Sequence, residues 1–246
     1  LHLLDSIVEE AKLHRGTQKG RVRVAAFPTI ATHLLPTLTA QFRQAHPEIS
    51  VSLLEFYDAW EAERAVREKQ ADLGFTELPT GKEFDAIELF HDDYIALLPA
   101  SAQIPNEVIT FEQLASFPII SFKPGNSCYK RLQQYLSRSG ASLRVAHEVR
   151  DSLTIVNLVH QGLGAAIVSR LSVQPLPEGV QVRQLPTPLE RILCTITLTD
   201  QLHSPALFTF LDFVKRFGYT TLRHKQQLLQ PPLQSPLQGS LAAGDA

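Results

Sequence analysis

Apolar residues recur along this chain with two periods, and the switches between them set out its elements. Val22, Val24 and Ala26 fall on every second position, as in a strand with one face on a core. After a turn at Thr29 the spacing changes to Leu34, Leu35, Leu38 and Phe42, which share one face of a helix that Pro36 is expected to kink or restart. Residues 49–55 (ISVSLLE) alternate again, residues 58–70 (DAWEAERAVREKQ) predict a charged helix with Asp58 as N-cap, and ADLGF makes a short buried strand. Further on, residues 86–99 hold two strand-like runs either side of Asp92 and Asp93, followed by a short helix over 111–117 and a buried strand over 118–122. KPGNSCY, residues 123–129, is a turn-rich lead into a helix over 130–137, capped by Asn126 or Ser127. A strand over 145–149, a helix over 152–161 closed by Gly162 and Gly164, and a strand over 165–169 come next. Strands over 180–185 and 192–198 and an amphipathic helix over 204–217, with Leu207, Phe210, Leu211 and Val214 inward, complete the pattern.

Strands alternating with helices through short connections predict parallel pairing with right-handed crossovers. Two such units each supply one strand-to-helix corner, at Thr29 and at 123–127, and the chain crosses between them twice, out through 92–99 and back through 192–198. The expected fold is therefore α/β, two Rossmann-like lobes joined by two crossover strands, with a crevice that closes by hinge motion around a small molecule. The expected bounds are 20–91 with 199–218 for the first lobe and 92–198 for the second. Residues 1–15 place Leu1, Leu4, Val8 and Ala11 at coiled-coil spacing and GTQKG follows, so 1–19 reads as the remnant of a linker helix and a linker. The Gln, Pro, Leu and Ser bias of residues 226–246 predicts a disordered tail.

Composition narrows the function. A net charge of -2 gives no basic footprint for nucleic acid, so any part that works on DNA is expected to lie elsewhere; the absence of methionine makes the chain read as a fragment whose natural start lies upstream. Cys128 and Cys194 are too few for a disulfide framework or a cysteine-only zinc site. No apolar run reaches the roughly 18 residues of a membrane span. A cytoplasmic protein without membrane contact is expected. GxSxG, HExxH and P-loop signatures are absent, the histidines are scattered, and Gly162-Leu-Gly164 sits at a helix end where a dinucleotide loop would open one. No enzyme, metal or cofactor is expected.

The two corners supply the candidate binding residues. At the first, the Thr29 hydroxyl, followed by Ile30, lies beside free N–H groups at a positive helix end, which suits a carboxylate; the alternative is a plain N-cap. At the second, Phe122, Lys123, Pro124, Gly125, Asn126 and Ser127 combine a positive charge, hydrogen-bonding side chains and a glycine that admits close backbone approach. Thr76 and Glu77 follow the third strand and face the same region. Asp151 and Ser152 open a helix that forms a third wall, with Arg150 or Lys123 as charge partner and an N-cap role for Asp151 as the alternative.

Thr29 followed by LLP, the helix ending FRQAHPEISVSLLE, the run REKQADLGF, then FHDDYIALLP and LVHQGLGAAIVS occur in an order and spacing that resembles the linker helix and effector-binding domain of LysR-type transcriptional regulators over residues 1–217. The resemblance implies a ligand-sensing and oligomerising domain. A small organic anion binds between the lobes, the chain pairs with itself as homodimer or homotetramer, and DNA is met only through an N-terminal winged helix-turn-helix missing here. It places Thr29 at a position whose hydroxyl contacts effector. It also places Tyr57, Asp58 and Ala59 in a loop where relatives often carry a hydroxyl that Ala59 lacks. A solute-binding protein of a transport system, or an enzyme on the same scaffold, are the competing readings.

Overall fold

The computed structural model describes residues 19–217, so the expected linker helix and linker over 1–19, except residue 19, and the tail over 226–246 lie outside the described residues. The first lobe begins with β1 (Gly20–Ala26), α1 (Pro28–His33), α2 (Leu35–Ala45), β2 (Ile49–Glu55), α3 (Ala59–Arg67) and β3 (Leu73–Glu77). β4 (Phe84–Leu98) leads out of it to α4 (Phe111–Ala115), β5 (Ile119–Phe122), α5 (Ser127–Ser139), β6 (Val145–Val149), α6 (Ser152–His160) and β7 (Ala166–Ser169). A 3-10 turn (Leu171–Val173), β8 (Gln181–Gln184), β9 (Glu190–Leu198) and α7 (Pro205–Phe217) complete the described chain.

β1 pairs in parallel with β2 and β3, and β9 runs antiparallel between β3 and the first part of β4, giving the order β2-β1-β3-β9-β4. The second part of β4 pairs with β7 and β8, and a bridge from Ile119 to Ala165 ties the parallel β5-β6 pair to that group. β4 thus belongs to both lobes. Its period-two alternation splits cleanly there: Tyr94, Ala96 and Leu98 pack with Leu114, Leu132 and Leu136 on one side, while Ile95 and Leu97 pack with Ile155, Val156 and Val159 on the other. In the first lobe Val22 and Val24 meet Leu38, Phe42, Phe210 and Val214, while Ala25 meets Ala62, Ala65 and Val66 across the sheet. Each sheet is covered on both faces, which explains the near-continuous apolar runs at ADLGF and AAIVS.

One sequence expectation is sharpened and two change. The opening helix is two helices, broken at Leu34, because Pro36 has no N–H to continue the ladder and instead takes a place in the first turn of α2, where none is needed. Residues 84–98 form one strand and not two, because the charges of Asp92 and Asp93 are absorbed by Arg191 and Arg170; only a register shift between Glu88 and Phe90 interrupts it. And the return strand pairs from Leu193 to Ile196 with β3, so it lies in the first-lobe sheet, whereas the expected bound of 199 leaves it in the second. Apolar patterning locates a crossing strand but does not say which sheet it joins.

The GLG segment has a steric reason. Gly162 ends α6 with φ 78, and a Cβ on Gly164 would lie 2.2 Å from the carbonyl oxygen of Pro118, which accepts the Ala165 N–H at 2.9 Å. This close approach holds β7 against β5 and so fixes the corner at Phe122.

Candidate functional site

The two corners meet around one arginine. Arg191, the second residue of β9, has its side chain 2 % exposed, and each of its nitrogens is engaged within the chain. Nε donates to Asp92 Oδ2 at 2.9 Å, Nη1 to Glu77 Oε1 at 3.1 Å, and Nη2 to Ser169 Oγ at 2.8 Å and to Thr29 Oγ1 at 3.3 Å. Phe27 covers the guanidinium, with its ring centre 5.3 Å from Cζ. These partners come from α1, β3, β4 and β7, so one side chain ties both lobes at the place where β4 and β9 cross. Burial alone would pull Arg191 toward deprotonation, but the charges of Asp92 and Glu77 outweigh it and hold the guanidinium firmly charged. Burial pushes the Asp92 carboxyl up, opposed by Arg191 and by the Leu171 N–H, which donates to Oδ1 at 2.9 Å.

Glu77 continues the network. Its second oxygen takes a short bond from Arg131 Nη2 on α5, and Ser127 Oγ lies 3.5 Å from its first. Burial works against the Arg131 charge, and Glu77 restores it. Cys128 lies beside Arg191 and Tyr94; burial pushes its thiol up against the pull of Arg191, so it remains a thiol and not a reactive thiolate. On the outer edge of the crossing, His91 bridges Glu88 and Glu190 at 3.0 Å each, a strut between the two crossover strands.

Thr29 stands at this meeting point, but not as a cap. Phe27 occupies the N-cap position of α1 with no side-chain bond, Pro28 follows it, and the Thr29 hydroxyl accepts from Arg191, which leaves its own proton to donate. Ile30 is wholly buried in the first-lobe core and its N–H goes to Phe27 O. Asp58, expected as the N-cap of α3, is that and more. Its Oδ1 accepts the Ala59 N–H at 2.7 Å in a capping box with Glu61, and its Oδ2 accepts the Ser127 N–H at 2.7 Å from the other lobe. Ala59 is buried as the first residue of α3, and Tyr57 donates to Arg150 O at 3.2 Å across the cleft.

The second corner divides. Asn126 caps α5 through the Cys128 N–H, Ser127 presents its N–H and hydroxyl to the first lobe, and Lys123, Pro124 and Gly125 form an exposed turn in which Gly125 has φ 98. Phe122 packs in the second-lobe core. The Thr76 hydroxyl donates to Glu63 on α3 at 2.8 Å, so it serves that helix and not the cleft. Asp151 takes the alternative role of N-cap, accepting from the Thr154 N–H and hydroxyl, with half-buried Ser152 as the first residue of α6. Arg191, Asp92, Arg131 and Ser169 were missed. For Asp92 and Arg191 the signal was a charge set inside an otherwise apolar strand, in FHDDYIALLP and LERILCTITL; Arg131 on a polar helix and Ser169 at a strand end gave none.

The two lobes, the two crossing strands and the cleft between the strand-to-helix corners are the architecture of the periplasmic-binding-protein-like type 2 fold. Residues 15–218 match the LysR substrate binding domain, and the chain belongs to that family. It is 40 % identical over 216 residues to the probable HTH-type transcriptional regulator LrrA of Synechococcus elongatus, a match covering 88 % of this chain and 73 % of the relative. The fold superposes on the effector binding domain of QuiR in complex with shikimate at TM-score 0.73 and 17 % identity, covering 83 % of this chain and 99 % of that one. It superposes on the Synechocystis PCC6803 CcmR regulatory domain in complex with 2-PG at TM-score 0.74 and 20 % identity, covering 82 % and 99 %. No helix among the described residues is long and apolar enough to cross a membrane.

Proposed function

We propose that this domain senses a small organic anion in the cleft between its lobes and passes the binding event to a DNA-binding segment outside residues 15–218, as a cytoplasmic regulator and not an enzyme. The observation that carries the reading is the convergence of Thr29 and Ser127, from the two opposed corners, on the Arg191, Glu77 and Arg131 network at the strand crossing. Both lobes contribute to one polar site, so a molecule that bridges them sets their relative position. The effector-contact set we propose is Thr29, Tyr57 and Ser127, with Asp58, Lys123, Pro124, Gly125, Asn126 and Ser152 as the surrounding wall.

A thermal-shift screen of carboxylates and phosphorylated acids, with Thr29→Val as control, tests this. A true effector raises the melting temperature, and the valine variant binds it about tenfold to a hundredfold more weakly, the loss expected of one hydrogen bond to a charged group. Equal affinity in the variant would remove Thr29 from the site.

Self-association is the second part of the proposal. β2 is the last strand of its sheet, and between it and α2 lies a groove of about 340 Å³ lined by Val24, Leu35, Pro36, Ala40, Val51 and Leu53. Leu53 is 46 % exposed beside it. A second copy would cover this edge. Leu53→Asp is expected to lower the mass seen in sedimentation while leaving the melting temperature within a few degrees. An unchanged oligomer would place the contact elsewhere.

A further inference from the structure

We infer that Asp58 is a tethered anion: its carboxylate occupies, as part of the chain, the position at the start of α5 that the effector's own anionic group takes, so that effector binds by displacing it. The inference rests on the cleft being the effector site. Capping α3 calls for one acceptor, and a serine or asparagine would serve as well as an aspartate. Asp58 uses one oxygen for that, on Ala59. The other oxygen and the charge go to Ser127 N–H, a residue 69 positions away in the opposite lobe, and the side chain is 2 % exposed. α5 already has its cap in Asn126. The Asp58 contact is therefore surplus to both helices, and what it does is join the lobes, together with the Tyr57 bond to Arg150 and the Glu77 contacts to Ser127 and Arg131.

The surroundings of that contact hold more donor capacity than Asp58 consumes. The Tyr94 hydroxyl, 4 % exposed beside Cys128, the second residue of α5, lacks a hydrogen-bond partner of full geometry. Arg131 Nε, one turn along α5, also lacks one. The Ser127 N–H itself stands at the start of a thirteen-residue helix, whose positive end favours an anion. A carboxylate or phosphate placed there would meet the Asp58 carboxylate at contact distance, where like charges repel strongly in a water-poor seam. One of the two must leave. The ligand class is thus a small acid whose carboxylate or phosphate replaces Asp58 on Ser127, and its apparent affinity is lowered by the fraction of molecules in which the latch is engaged.

The test compares the 246-residue chain with its Asp58→Ser and Asp58→Asn variants. Serine keeps the α3 cap and removes the latch; asparagine keeps the shape and removes the charge. Inorganic phosphate and malonate are titrated calorimetrically at low salt, and the ligand-free proteins are compared by small-angle scattering, with melting curves confirming that each variant is folded. The expected result is binding at least about tenfold tighter in Asp58→Ser, a smaller gain in Asp58→Asn, and a larger radius of gyration for ligand-free Asp58→Ser than for the parent. If the probes bind parent and variants equally, the latch is wrong while the cleft stands. If they bind none of the three, the freed Ser127 N–H does not hold an anion and the latch is again overturned; the Thr29→Val comparison then decides the cleft by itself.

Discussion

Arg191→Met lowers the unfolding free energy by about 3–5 kcal/mol, the cost of removing one partner from a buried charge pair. Methionine keeps the apolar stem but ends about where Nε lies, so the space of the guanidinium under Phe27 adds a smaller cavity cost to the electrostatic loss. Asp92 then keeps only the Leu171 N–H, at 3 % exposure, and Glu77 keeps only Arg131 and the distant Ser127 hydroxyl. Arg191→Lys does not restore the parent, because a single ammonium cannot reach Asp92, Glu77, Ser169 and Thr29 together in the planar geometry a guanidinium gives. Urea denaturation of the two variants measures the effect. The double variant Arg191→Met with Asp92→Leu is expected to recover part of the loss, since replacing both partners by apolar groups removes the uncompensated carboxylate. A loss under about 1 kcal/mol for Arg191→Met would mean that water reaches the seam and the network is not buried in solution.

This arginine also shows where sequence reading succeeds and stops. Elements were legible wherever burial imposes a period: β1, α2, β2, α6 and α7 follow directly from which residues recur at every second position or at every third and fourth. The two-lobe layout followed from counting corners and crossings. The partners of Arg191, by contrast, lie 22 to 162 residues away, and no local pattern links Thr29 to Arg191 or Asp58 to Ser127. The anomaly was visible, a charge within an apolar strand, but its resolution needs the register of β4 against β9. Asp58 was legible as an N-cap because capping is local; its second oxygen was not, because that contact exists only once the lobes are closed. Ile30, Phe122 and Thr76 neighbour the cleft in sequence, while in the structure Ile30 and Phe122 pack into the two lobe cores and the Thr76 hydroxyl bonds Glu63. Side-chain direction is set by the strand pleat, whose successive positions face opposite ways, and by the turn of about 100° between successive helix positions.

Phe42→Ala is the second large effect, an expected loss of about 3–5 kcal/mol for truncating a fully buried aromatic. Phe42 is 0 % exposed and stands edge-on to Phe210 at 4.9 Å and to Phe213 at 5.3 Å, with His46 at 4.8 Å along its own helix. These rings fasten α2 to α7 on the face of the sheet that also carries the Thr29 corner. Phe42→Leu keeps most of the apolar volume and should lose less than half as much, which separates packing from any general intolerance of the site. The consequence for function comes from what α2 presents on its other side. Ala40 and Arg43 line the groove beside Leu53, so loosening Phe42 is expected to weaken self-association together with stability, whereas Leu53→Asp weakens association alone. Sedimentation and urea denaturation on the two variants distinguish the cases. If Phe42→Ala lost several kcal/mol and kept the parent oligomer, the subunit contact would not run through α2.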